Sequence, residues 1–174
     1  MLDIFNIVDP ADLPIIERYI GSLDRKPDLI IAPDGNPYLY RWFAVPCTED
    51  GGARVYFHMQ VSADPERPLH DHPWDNMSVI LSGGYLERMQ LNPPNGLVQD
   101  LIRVKGDVIF RRWHVAHRLF LPIGVPYTLT QFSTGPKVNA WGFWYGQEHV
   151  DYRKVTDRLA DGRSVHKAGQ PWRS

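Results

Sequence analysis

The sequence predicts an all-β fold, a sandwich or jelly roll, and three observations carry that reading. Between Tyr38 and Tyr145, short apolar runs recur between clusters of turn residues. One run, 53–62, alternates strictly, with Val55, Phe57, Met59 and Val61 on one face and Tyr56, His58 and Gln60 on the other. Aromatic residues make up 12% of the chain, including six Trp, which suits strands and an aromatic interior better than a helical bundle.

The elements follow in chain order. Asp9 to Leu23 places Leu13, Ile16, Tyr19 and Ile20 at helical spacing behind an Asp9 cap and Pro10, predicting a short helix packed on the outside. Residues 24–37, rich in Pro, Asp and Gly, read as a connecting loop. Strands are expected at 38–45, 53–62, 75–82, 84–91, 97–104, 107–111, 115–121, 127–132 and 138–145. Glu49-Asp50-Gly51-Gly52, Ser82-Gly83-Gly84, Asn92-Pro93-Pro94-Asn95-Gly96 and Thr134-Gly135-Pro136 supply the turns between them. The polar tail from residue 146 is expected to open on a helical turn near Val150 to Leu159 and to run loose from Gly162. A chain of 174 residues suits one domain, with an N-terminal helix and loop over 1–37, a barrel over 38–146 and a tail over 147–174.

Composition narrows the partners. A formal net charge of −1 gives no global attraction to nucleic acid or to an anionic membrane. No apolar run approaches the roughly 18 residues of a membrane helix, and the N-terminus lacks a secretory pattern. The lone cysteine, Cys47, excludes an internal disulfide and reads as a structural thiol. A cytoplasmic location and a small-molecule partner are the expectations.

Two segments carry the chemistry. In Pro68-Leu69-His70-Asp71-His72-Pro73-Trp74-Asp75-Asn76, the two histidines stand at i and i+2, so an extended chain aims both at one face. In Gly106-Asp107-Val108-Ile109-Phe110-Arg111-Arg112-Trp113-His114-Val115-Ala116-His117, a turn and strand lead back to a third histidine. Together these resemble the two signature motifs of the cupin superfamily. His70, His72, Asn76 and Gly83 keep the register of the first motif, and Gly106 precedes His117 by the eleven positions of the second.

The resemblance implies a double-stranded β-helix, or cupin jelly-roll barrel, with a short N-terminal helix and a polar C-terminal tail. It also implies one divalent metal on His70, His72 and His117. The acidic position of the first motif holds Asn76, a poorer ligand, and Asp75 stands beside it; either could complete the site, or neither. Arg112 and His114 occupy the turn where the second motif has proline and glycine. Fe(II) is the favoured ion, with Zn, Ni, Mn or Cu as alternatives; imidazole suits iron, zinc, copper and nickel, and geometry and availability choose among metals.

Residues 68–73 also resemble the corresponding segment of the cupin thiol dioxygenases, which implies Fe(II), dioxygen and oxidation of a thiol. The expected function is a mononuclear non-heme dioxygenase acting on a small organic substrate. The alternatives are a non-catalytic ligand-binding or sensor protein and a metal-assisted isomerase or lyase. Tyr56, His58 and Glu87 are the candidate acid/base residues. Asn76, Ser78 and Ile80 share the metal's face, Arg41 and Arg112 are candidate anion-binding groups, and His114 is a candidate rim residue or base. His149 and His166 read as surface residues, Trp141, Phe143 and Tyr145 as core, and Arg118 points away from the site. A homodimer is expected from the need to cover strand edges.

Overall fold

The computed structural model describes residues 1–44, 52–63, 68–160 and 163–167. Cys47 and Glu49-Asp50-Gly51 of the first expected turn lie outside these residues, as does the tail from 168 onward. No helix among the described residues is long and apolar enough to cross a membrane.

The N-terminal segment forms two short 3-10 turns, Asp3–Phe5 and Pro10–Asp12, followed by helix α1 (Leu13–Ile20). The Asp9 carboxylate accepts from the Ala11 amide and Pro10 opens the turn, so the start signal read from the sequence is the one used. Gly21, with φ at 83°, ends α1 in the left-handed region. The strands begin with β1 (Leu29–Ile31), β2 (Leu39–Phe43), β3 (Arg54–Gln60), β4 (Leu69–His70) and β5 (Asn76–Ser82). Next come β6 (Gly84–Gln90), β7 (Val98–Val104), β8 (Val108–Arg111), β9 (Ala116–Phe120) and β10 (Thr128–Thr134). The chain then runs through β11 (Gly142–Tyr145), β12 (Glu148–Asp151), one turn of helix α2 (Tyr152–Val155), β13 (Thr156–Arg158) and β14 (Arg163–His166).

Two sheets result. The larger has the order β13-β14-β1-β2-β3-β10-β5-β8 and the smaller β12-β11-β4-β9-β6-β7, which is the expected two-sheet jelly roll. Several neighbours in space are distant in sequence, such as β14 beside β1, β3 beside β10 and β4 beside β9, as crossing between sheets requires. Ile80, Tyr85 and Ile109 pack between the sheets with Leu119. A second core lies on the outer face of the larger sheet, where Phe5, Ile16 and Ile20 cover Trp42, Phe57, Met59 and Leu129. Both faces of β3 are therefore buried. Phe57 and Met59 meet α1, while His58 and Gln60 face the space between the sheets.

Two expectations need correction. The loop 24–37 contains β1, which pairs antiparallel with β2 (Ile30↔Tyr40). The tail is not loose over its described part, since β14 pairs parallel with β1 (Ile30↔Arg163) and antiparallel with β13. Both segments are short and polar-flanked, and their backbone groups find partners only once remote strands meet. Composition carries no sign of that pairing.

Candidate metal centre

All three motif histidines are delivered by the smaller sheet. His70 ends β4, His72 follows two residues later, and His117 lies on β9 directly opposite His70 in the antiparallel register. One ligand nitrogen from each ring lies within 4.8 Å of the others. Nε2 of His72 and Nε2 of His117 are 2.9 Å apart. Two nitrogens held at right angles, each about 2.1 Å from one ion, would have nearly that separation. Burial holds the His72 imidazole well below its ordinary pKa, and His117, Arg111 and Arg41 push the same way. The ring is therefore neutral, with the lone pair that a metal requires.

Behind the histidines lies a buried polar network. Glu87, on β6, is fully enclosed, and its Oε1 accepts from Nδ1 of His117 at 2.7 Å and from Nε of Arg111 at 2.6 Å. Its Oε2 accepts from Nε of Arg103 at 2.9 Å. Burial alone would raise the Glu87 carboxyl; the His117 imidazole and the Arg111 guanidinium outweigh it and hold the group well below the carboxylate range. With Nδ1 of His117 donating to this carboxylate, its Nε2 is the nitrogen turned toward His72. Arg111, 1% exposed, also reaches Ser78 Oγ at 2.9 Å, Asn76 Oδ1 and the Tyr85 hydroxyl.

Asp71, between the two motif histidines, is buried on the opposite side of the chain. It accepts from the Gly142 amide at 2.8 Å and from Trp144 Nε1 at 3.1 Å, and it meets His149 Nε2 at 3.0 Å. These contacts tie the His70–His72 segment to β11 and β12. His149 is thus a surface residue, as read, that also partners Asp71. The spacing His149-Val150-Asp151 is also that of a His-x-Asp ligand pair, but Asp151 is taken by Arg153 and neither residue joins the three histidines.

The cavity in front of the histidines has a volume of about 480 Å³. Its walls include Phe132, Trp141 and Phe143, so two of the residues read as core also line the pocket. Trp141 stacks on Tyr152 at 4.5 Å, which brings α2 and the tail strands to the mouth. On the far wall, Nε of Arg41 donates to Nε2 of His58 at 2.8 Å, the two residues being cross-strand partners on β2 and β3. Burial, Arg41 and His72 hold His58 well below its ordinary pKa.

The other sequence candidates fall as follows. Asp75 does not reach the histidines: its oxygens accept from Arg112 Nη1 at 2.7 Å and from the Trp113 amide at 2.9 Å, as strand alternation next to an inward Asn76 demands. Asn76 is buried on β5 and serves Arg111. Tyr56 is packed beneath the Arg41 guanidinium, 4.8 Å from it, and does not line the cavity. Glu87 supports His117 from behind instead of facing a substrate. Arg112 is exposed, while Arg41 is inside. Arg118 packs over Phe120, away from the cavity, and His114 packs edge-on against Trp113. His166 is half-buried on β14. Arg111, Asp71 and Arg103 escaped the sequence reading, because a charged residue on a strand carries no local sign of burial.

No family model and no curated protein matches the sequence. Solved structures do. Fe(II) HppE in complex with its substrate superposes with a TM-score of 0.54 at 16% identity, over 66% of this chain and 59% of that one. Recombinant oxalate oxidase in complex with glycolate gives 0.50 at 13% identity, over 68% of this chain and 62% of that one. The chain has the cupin fold. A second HppE structure, with the alternative substrate (S)-1-HPP, gives 0.51 at 13% identity over 75% of this chain and 77% of that one. The first two of these chains match over only about three fifths of their own length. Within the cupin fold, the histidines sit in the interior between the two sheets, and the tail of this chain borders the opening.

Proposed function

We propose that this cupin is a mononuclear metal enzyme that holds one divalent ion on His70, His72 and His117 and oxidises a small organic substrate with dioxygen. The observation that carries the reading is the convergence of three imidazoles within 4.8 Å, one of them braced by a buried carboxylate, on a cavity of about 480 Å³. Fe(II) is the ion proposed, with Zn, Ni, Mn or Cu as alternatives, and the three-imidazole donor set is compatible with iron, zinc, copper and nickel. A bound Fe(II) would supply the electron-transfer and Lewis-acid chemistry that activates dioxygen.

The chain's own residues do the rest. Glu87 fixes the His117 tautomer and ring orientation. Phe132, Trp141 and Phe143 keep the cavity apolar and limit water. Because Arg41 donates to Nε2 of His58, the proton of that neutral ring sits on Nδ1, where it can be donated. The iron form of HppE and the glycolate complex of oxalate oxidase support a metal-dependent reaction on a small molecule.

Elemental analysis of protein purified without added metal, joined to oxygen-uptake assays of the Fe(II)-loaded chain, tests the reading. Thiols, diketones and catechols form the panel, thiols being the substrates of the dioxygenases that residues 68–73 resemble. About one ion per chain and uptake with one substrate class are expected. Metal retention by a His70→Ala, His117→Ala double variant would refute the ligand assignment.

A homodimer belongs to the same proposal. Ile102 and Val104 on β7 and Val108 and Phe110 on β8 are 78%, 53%, 64% and 60% exposed, and the two strands are edges of their sheets. Such an apolar edge is best covered by a second copy. Light scattering at micromolar concentration should give twice the chain mass, and a monomer would count against it.

A further inference from the structure

The cavity contains a cation that the metal chemistry does not use. Arg41 lines the same space as the three histidines, and its Nε is spent on His58. Its guanidinium carbon lies over the Tyr56 ring, 4.8 Å from the ring centre, so the group rests on an aromatic support. No carboxylate among the described residues forms an ion pair with it. The buried acid nearest the site, Glu87, is committed to Arg111, Arg103 and His117. The remaining charged residues of the lining belong to the mouth. There Arg153 is paired with Asp151, Lys167 lies 3.6 Å from Asp157, and Arg158 is exposed.

A guanidinium taken out of water without an acid is costly, and a ligand that brings an oxyanion offsets that cost. Imidazole ligands bring no negative charge of their own, so any divalent ion held there deepens the positive potential. The register makes the arrangement rigid. Arg41 and His58 are opposite one another on β2 and β3, and His58 stacks on Phe132 at 5.1 Å, which in turn lies 5.6 Å from His72.

We infer that Arg41, held by His58 and Tyr56, is the anion clamp of this cavity, and that the substrate is a small organic acid whose carboxylate or phosphonate oxygens pair with its terminal nitrogens. The inference deepens the metal-enzyme reading above and rests on it for the reaction, though not for the binding of the anion. Arg41 acts here as a binding and specificity residue. It fixes one end of the substrate so that the other end lies in the space before His70, His72 and His117.

Calorimetric titration of the full chain, metal-free and zinc-loaded, tests this. The probes are propionate, malonate and methylphosphonate, each set against a neutral counterpart (propionamide, malonamide and dimethyl methylphosphonate). The acids should bind and the neutral analogues should not. Arg41→Met should weaken acid binding at least about tenfold, with Arg41→Lys intermediate, since a single charge replaces a two-pronged contact. Zinc affinity should be unchanged in both variants, which also shows that they fold. Preference between malonate or propionate and methylphosphonate assigns the oxyanion. Acid affinity that is equal in wild type and Arg41→Met, or equal binding of acids and neutral analogues, would overturn the clamp. Zinc uptake separates the two readings. A wild type that takes up no zinc yet binds acids through Arg41 keeps the clamp and loses the metal centre, whereas zinc binding with acids indifferent to Arg41 does the reverse.

Discussion

Nδ1 of His117 donates to Oε1 of Glu87 across 2.7 Å, from β9 to its neighbour β6, so the deepest of the three motif histidines is oriented by a carboxylate that never reaches the cavity. The same oxygen accepts from Arg111, on a strand of the opposite sheet. One carboxylate thereby links both sheets to the candidate metal centre.

Replacing that charge should weaken the site without emptying it. Glu87→Gln keeps the shape but offers Arg111 and Arg103 a neutral amide. Metal affinity should fall about 10- to 100-fold, as for other partners of ligating histidines. Chelator competition measures it. Glu87→Ala, which leaves Arg111 buried beside a void, should cost about 3–5 kcal/mol in urea unfolding. An alanine variant as stable as wild type would show that the network contributes nothing to folding.

Metal binding should be visible as stability. An ion that binds the folded chain alone adds about 2.7 kcal/mol when present at a hundred times its dissociation constant. Titrating Fe(II) anaerobically, or zinc in air, should raise the melting temperature of wild type. The His70→Ala, His117→Ala variant should show no such rise. A parallel shift in both would place the binding site elsewhere.

Asp71 should matter to folding and to metal alike. It gathers the Gly142 amide, the Trp144 indole and His149 while separating His70 from His72. Asp71→Ala strands the buried Gly142 amide, at about 1–3 kcal/mol, and the half-buried Trp144 indole. Metal affinity should fall in step, because the segment bearing two ligands loses its anchor. Parallel unfolding and metal titrations would separate the two effects, and a destabilised variant with unaltered affinity would limit Asp71 to a structural role.

Gly83 closes the first sequence motif for a backbone reason. Its φ is +71°, and an added Cβ would lie 2.5 Å from the Tyr127 carbonyl oxygen. The left-handed conformation alone costs a side chain about 1–2 kcal/mol, and the close backbone adds to it. Gly83→Ala should therefore unfold at distinctly lower urea concentration than Gly106→Ala, where φ is +95° but the space is open. Equal losses would mean that conformation, not crowding, decides both.

Much of this was legible from residues alone, and the legible part has a common cause. Alternation over Val55 to Val61 told which side chains of β3 face α1 and which face the cavity, because a pleat fixes direction residue by residue. The Asp9-Pro10 start of the 3-10 turn that leads into α1 and the glycines at 83 and 106 are likewise local statements about backbone conformation. The i, i+2 spacing put His70 and His72 on one face, the resemblance to cupin motifs added His117, and the three sets of nitrogens do converge. Asp75 beside Asn76 was an open choice in the sequence. The pleat aims Asp75 at Arg112, outside.

What tertiary structure decided is every relationship that crosses strands remote in sequence. Arg41 and Arg112 read alike as candidate anion-binding groups until β2 is set against β3 and brings Arg41 to His58, 17 positions away. Glu87 and Arg111 became a buried pair only when the two sheets closed on each other, and a carboxylate on a strand can as easily face water. The tail acquired order because β14 found β1, a pairing made by backbone amides that side-chain composition does not record. Periodicity and turn chemistry belong to neighbouring residues and survive in a list of letters. Register between distant strands does not, and it is register that put a positive charge, three imidazoles and an aromatic wall around one cavity.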